Sequence, residues 1–234
     1  MSSTTVAAIT GKITARIASI HIDPACNAFL NDCFRQFGIM VVPADGDLAE
    51  LFNRQKFEAC VLRLYDPEAD RILKAARNSP SNRRVVIYGI ARNTQEALRY
   101  ASYGINAVLD EPLDRQGVLK VVRATHLLVI HELRRYVRVP VASQTEIDFG
   151  GRAPAVATTV EVSSGGISVH CNTALPKTDP IRLMLALPGI EKLNVRAFVC
   201  WYREADKVYG LRFDSSDERR LKVRGWIDQY LEIV

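Results

Sequence analysis

The sequence lacks any apolar run approaching the roughly 18 residues a membrane-spanning helix requires. Its longest candidate, around His126–His131, is short and bracketed by charge. The opening MSSTTVAAITGK has no basic leader and no long apolar segment, so no secretory signal is expected. Cysteine is sparse and odd in number: Cys26, Cys33, Cys60, Cys171 and Cys200, none in a CxxC pair. That pattern excludes a disulfide framework and a cysteine zinc site, and it predicts a reducing, cytoplasmic setting. The four histidines, His21, His126, His131 and His170, show neither HExxH nor any other paired-ligand spacing, so no metal site is expected. There is no phosphate-binding P-loop, and no Ser-His-Asp set is suggested. No catalytic residue is assigned, no cofactor is expected, and the reading is a binding protein rather than an enzyme.

Strong charge of one sign is also missing. The formal net charge of +5 is spread along the chain. Residues 1–133 carry 16 Lys and Arg against 14 Asp and Glu, and residues 134–234 carry 15 against 12. Neither part is basic enough to name DNA as a partner, and no recognition-helix unit follows.

What the sequence does have is a change of rhythm. Over residues 1–133, runs rich in Val, Ile and Leu alternate with helical patterns. Strands are predicted over 15–22, 39–44, 59–65, 83–90 and 106–112, with helices over 24–37, 47–55, 68–79, 93–104 and a long one over 115–134. Near-continuous apolar strands separated by helices imply a parallel sheet covered on both faces, here five-stranded and flavodoxin-like. After Tyr136 the pattern becomes short strands and turns: 137–147, 155–162, 166–171, 181–187, 194–204 and 208–214, with turns at Gly150-Gly151, Gly165-Gly166, Pro188-Gly189 and Asp206-Lys207. This predicts a six-stranded antiparallel barrel over residues 134–234, closed by an amphipathic helix over 217–233.

The chemistry-bearing residues cluster where the rhythm changes. RRYVR (134–138) follows the long helix, and EVSSGG (161–166) comes about 25 residues later. Together they resemble the PilZ signature, an RxxxR element followed by Asp/Asn-x-Ser-x-x-Gly. Arg134 and Arg138 match its two arginines, Arg135 fills a position often also Arg, and Ser163 and Gly166 match the second element. Glu161 stands where that family has Asp or Asn, one methylene longer. The resemblance continues through CWYRE (200–204) and VYGLRF (208–213). It implies binding of cyclic di-GMP, which presents two phosphates and two guanines. Guanidinium forks suit phosphate and the guanine O6/N7 edge. Glu161 supplies acceptors, Ser163 a hydroxyl, and Gly165-Gly166 a backbone open to close approach. Trp201 and Arg203 are further candidates for the pocket wall; the plainer readings are barrel core for Trp201 and surface for Arg203.

The five-stranded part resembles a response-regulator receiver domain stripped of its chemistry. After the first strand comes His21-Ile22-Asp23 in place of a full acidic pair. The phospho-acceptor position falls on Arg63, Tyr88-Gly89 is assigned to the fourth strand's end, and Glu111 precedes Pro112 where a Lys is required. A guanidinium cannot act as the carboxylate nucleophile. Arg63 and Glu111 are expected to pair, and Asp66 is the alternative acceptor. The implied function is a cyclic di-GMP effector whose ligand changes the interdomain arrangement. Its protein partner, unidentified, would dock through the receiver-like part, with homodimerisation as a further option. The competing reading is a PilZ-fold adaptor that binds proteins and no nucleotide.

Overall fold

A computed structural model describes residues 5–6, 14–150 and 153–231. The chain forms two compact units, meeting in sequence between Leu133 and Arg134.

The first unit contains β2 (Ala15–Ile20), α1 (Pro24–Phe34), β3 (Ile39–Ala44), α2 (Leu48–Arg54), β4 (Ala59–Arg63), α3 (Ala69–Asn78), β5 (Val86–Ala91), α4 (Thr94–Arg99), β6 (Ala107–Asp110) and most of α5 (Arg115–Tyr136). The strands are all parallel in the order β3-β2-β4-β5-β6. That reversal of winding beside β2 is the flavodoxin-like arrangement the strand-helix alternation predicts. Side chains cap the helices locally. Asp23 accepts from Cys26 N ahead of Pro24, Asp47 from Ala49 N and Glu50 N, and Asn93 from Glu96 N. Gly38 and Gly104 take left-handed conformations that end the short 3-10 turns after α1 and α4. One face of the sheet buries Ile20, Leu62 and Ile87 against Phe52, Ile72 and Leu73 of α2 and α3.

The predicted fourth strand over 83–90 starts late. Arg83 and Arg84 lie in a turn, fixed by Ser79 O accepting from Arg83 N and by buried Asn82 O accepting from Val85 N. β5 therefore runs on to Ala91, and Tyr88 sits mid-strand rather than at its end. The Tyr88 ring is fully buried edge-on to Phe34, and its hydroxyl bonds Thr125 of α5 at 2.8 Å.

The second unit contains β7 (Val139–Ala142), β8 (Gln144–Asp148), β9 (Ala155–Ser163), β10 (Gly166–Cys171), β11 (Ile181–Leu185), β12 (Leu193–Arg203), β13 (Val208–Phe213) and α6 (Arg220–Tyr230), and β1 (Thr5–Val6) pairs with β7. Six antiparallel strands close into a barrel in the order β8-β9-β10-β13-β12-β11 and back to β8. Its interior holds Ile147, Val169, Ile181, Leu183, Val195 and Phe213. α6 buries Val223, Trp226 and Ile227, and the Trp226 indole donates to Pro188 O at 2.7 Å. The helix predicted to reach residue 233 is observed to Tyr230; residues 232 and 233, like Gly151 of the predicted turn, lie outside the described residues.

The single strand predicted over 137–147 is two strands. Buried Ser143 separates them: Ser143 N donates to Thr159 Oγ1 at 2.9 Å, and Thr159 N donates back to Ser143 O at 2.9 Å. β8 pairs with the first half of β9 and β7 with its second half. No helix of the described residues is long and apolar enough to cross a membrane.

Candidate functional site

Two bulges in the barrel wall build the site. Ala155, Ala157 and Thr159 of β9 are buried, and by alternation Glu161 would point inward after them. The register against β10 shifts there: Ser168 pairs with Glu161 and Val169 with Thr159, leaving Val160 as the extra residue. The bulge re-aims the strand, so Val162 takes the buried position and Glu161 turns outward. β12 repeats the device. Leu193, Val195 and Ala197 are buried, the register shifts between Val199 and Trp201, and Cys200 is the extra residue. Trp201 emerges on the outer face, 47% exposed, opposite Gly210 of β13. It is therefore not barrel core.

The two bulges face a cleft of about 400 Å³. Arg135, in the last turn of α5, and Arg138, just before β7, line it. Glu161, Ser163, Gly165, Gly166 and Trp201 line it too. Arg138 Nε stands 3.3 Å from Glu161 Oε1, an ion pair with both partners partly in solvent. The Ser163 hydroxyl donates to Gly166 O at 3.1 Å, holding the β9-β10 turn, and the Ser164 hydroxyl donates to Arg134 O at 3.4 Å. Gly166 is required by packing: a Cβ there would lie 2.2 Å from Leu211 O.

Two predicted residues do not line the cleft. Arg134 turns its guanidinium to α6, where Nε lies 2.7 Å from Asp228 Oδ1. Arg203 forks onto Asp206, Nε to Oδ1 at 2.8 Å and a terminal nitrogen to Oδ2 at 2.6 Å. Its charge still lies over the Trp201 ring, 5.9 Å from the centroid. Sequence reasoning missed Ser164, Ser168, Cys200 and Arg212, which also line the cleft. The signal for Arg212 was its place on an alternating strand beside Gly210. Its neighbour Gly166, across the sheet, is set by register alone. The cleft lining thus holds three guanidinium side chains, Arg135, Arg138 and Arg212, and one carboxylate, Glu161.

At the carboxyl end of β4 in the first unit, Arg63 occupies the centre of a small acidic cluster. One terminal nitrogen lies 2.7 Å from Asp23 Oδ2, and Nε lies 3.8 Å from Glu111 Oε1. The expected Arg63–Glu111 pairing is present, although Asp23 is the closer partner. The Arg63 guanidinium holds the Asp23 carboxyl below its usual range and is itself pushed up by that bond. Asp66, the alternative acceptor, is engaged by His21 Nδ1 at 3.0 Å. Tyr88 stands away from this cluster, because β5 ends at Ala91. Among the described residues no group of His, Cys, Asp and Glu is placed to hold a metal ion.

The first unit is thus a flavodoxin-like α/β domain. Residues 132–231 match the family model of the PilZ domain. Solved structures similar to about half of this chain include the receiver domain of a sensor histidine kinase from Pseudomonas aeruginosa PAO1, with magnesium in its active-site cleft. It is 18% identical, with 50% of this chain and 98% of that one covered, at a TM-score of 0.42. The chemotaxis response regulator CheY4 of Vibrio cholerae is 15% identical over 48% of this chain and 98% of its own, at a TM-score of 0.41. A sensor protein from Polaromonas sp. JS666 is 19% identical over 50% and 98%, at a TM-score of 0.41. No curated protein matches the sequence.

Proposed function

We propose that this protein is a cyclic di-GMP effector that binds its ligand in the barrel-face cleft and performs no catalysis. One observation supports this above the rest. Arg135, Arg138 and Arg212 line one cleft together with Glu161, Ser163 and Trp201, a set of guanidinium, acceptor and aromatic groups that suits a dianion bearing bases. Arg135, Arg138 and Arg212 would grip phosphate and the guanine O6/N7 edge. Glu161 would accept from guanine N1–H and N2–H₂, and Trp201 would give a base a stacking surface. Arg135 belongs to the last turn of α5, so ligand engagement acts on the end of that helix. The expected consequence is a changed interdomain arrangement, read by small-angle scattering with and without ligand.

The receiver-like unit serves protein contact in this reading, not phosphorylation. Arg63 stands at the acceptor position with Asp23 already bound to it. Leu98 of α4 and Leu127 of α5 are exposed and available to a partner or a second copy.

A second reading, a PilZ-fold adaptor without nucleotide, is favoured by one contact: Arg138 is already partnered by Glu161. Isothermal titration of the full chain with cyclic di-GMP separates the two. The effector reading expects saturable heat that Arg138→Ala removes. Absence of heat with both wild type and Glu161→Asp would leave the adaptor reading standing.

A further inference from the structure

The receiver-like unit carries a second basic cleft, of about 580 Å³, where β5 and β6 begin. This is the end of the sheet opposite Arg63, which closes β4 at its carboxyl end. Arg77, in the last turn of α3, forms its inner wall. Its Nε donates to Tyr103 O at 2.7 Å, one terminal nitrogen to Arg83 O and Val85 O at 3.1 and 2.8 Å, and the other to Gly104 O at 2.8 Å. Every one of these acceptors is a neutral carbonyl, and no carboxylate lines the cleft. Arg77 is partly buried, and burial pushes its pKa down. A cation withdrawn from water without a counter-ion is costly unless an anion joins it.

The rest of the lining is suited to supply that anion's contacts. Arg83 and Arg84 are exposed, and among the described residues their guanidinium groups have no ion-pair partner. Asn106 spends its Oδ1 on Ile87 N at 2.8 Å, which leaves its amide N–H groups as donors, and Ser102 adds a hydroxyl.

We propose that this cleft binds a soluble phosphate-bearing small molecule, a polyphosphate or a phosphate ester. Arg83 and Arg84 close on the phosphate as forks, and the fifth N–H of Arg77, which no carbonyl uses, meets it from the inner wall. Three guanidiniums lining one depression favour a compact, multiply charged anion over an extended acidic chain. The site is independent of the barrel-face cleft, and neither reading requires the other.

The probe is pyrophosphate, added to the full chain with sodium chloride of equal ionic strength as control. The readout is the set of backbone amide NMR signals of Ser102, Gly104 and Asn106. Saturable shifts of these signals with pyrophosphate alone are expected. The double variant Arg83→Ala/Arg84→Ala, altered only at exposed side chains, is expected to weaken the response at least about tenfold. Its thermal midpoint and its cyclic di-GMP titration should match wild type. Arg138→Ala should leave the pyrophosphate shifts intact. The proposal is overturned if chloride reproduces the shifts, if pyrophosphate produces none, or if the double variant responds as wild type does.

Discussion

Trp201 lies so close over Gly210 that a Cβ added there would stand 2.0 Å from the indole Cε2. The pair crosses from β12 to β13 on the barrel's outer face, and the bulge at Cys200 is what turns the ring outward. The glycine is a seat, and the seat fixes the height of the ring above the sheet.

Trp201→Ala is therefore expected to reduce cyclic di-GMP affinity with little effect on the fold. Base-aromatic stacking is worth about 1–3 kcal/mol, or roughly 5- to 150-fold in affinity. Gly210→Ala should displace the ring and lower affinity as well, with the ring itself still present. Titration calorimetry on the two variants, beside their urea midpoints, tests both. Wild-type affinity in Trp201→Ala would remove the ring from the site.

The Arg138–Glu161 pair competes with a phosphate for the same guanidinium. Both side chains are partly exposed, and such pairs contribute about 0.2–1 kcal/mol. Glu161→Asp shortens the arm and releases Arg138, so affinity should rise, by no more than about fivefold on that scale. Arg138→Ala should lower it at least about tenfold. Neither change should move the urea midpoint appreciably. Wild-type affinity should fall as salt is raised, since the grip on phosphate is electrostatic.

Much of this was legible in the chain, for physical reasons. Five short apolar runs, each bounded by turn residues and followed by a helical pattern, pointed to buried parallel strands, and the alternation after Tyr136 pointed to a half-solvated sheet. The Arg-rich segment and the Ser-Gly-Gly turn were readable because both sit at element ends. The corner at Ser143 was not, since it depends on the hydroxyl of Thr159 across the sheet. Nor was the diversion of Arg134, which answers a carboxylate, Asp228, on the last helix. For Trp201 the sequence left both pocket wall and barrel core open, because alternation along β12 points it inward and only the register against β13 reveals the bulge that turns it out.

Arg63 places a fixed cation at the carboxyl end of β4, bound to Asp23, where the proposed function leaves no phospho-acceptor. Acetyl phosphate should leave the full chain unlabelled, which intact-mass spectrometry reads directly; incorporation of phosphate at Asp66 would contradict this. The pair also has a pH signature. The Asp23 carboxyl is held below its ordinary value of 3.8, chiefly by its bond to Arg63. A depressed carboxylate pKa contributes stability that is full above the unfolded value and is lost as pH falls through the folded one. Arg63→Met should therefore be less stable than wild type at neutral pH, and the gap should narrow below about pH 4. Urea unfolding at pH 7 and pH 3 measures it. A gap that widens in acid would show that Asp23 does not depend on Arg63.

Gly165 and Gly166 look interchangeable in sequence, and the structure separates them. A Cβ on Gly165 meets nothing within 4 Å, whereas one on Gly166 meets the carbonyl of Leu211 at 2.2 Å. That neighbour is backbone within the β10-β13 ladder and cannot swing aside. Gly166→Ala should therefore pry the two strands apart and destabilise the barrel by about 1–3 kcal/mol, the usual cost of overpacking. Gly165→Ala should fall within about 0.5 kcal/mol of wild type, as an open surface change does. Its methyl group still enters the cleft beside Ser163, so it should weaken cyclic di-GMP binding while leaving the fold untouched. A variant that keeps its urea midpoint and loses ligand affinity separates a contact with the ligand from damage to the barrel, and Gly165→Ala is the substitution placed to do so.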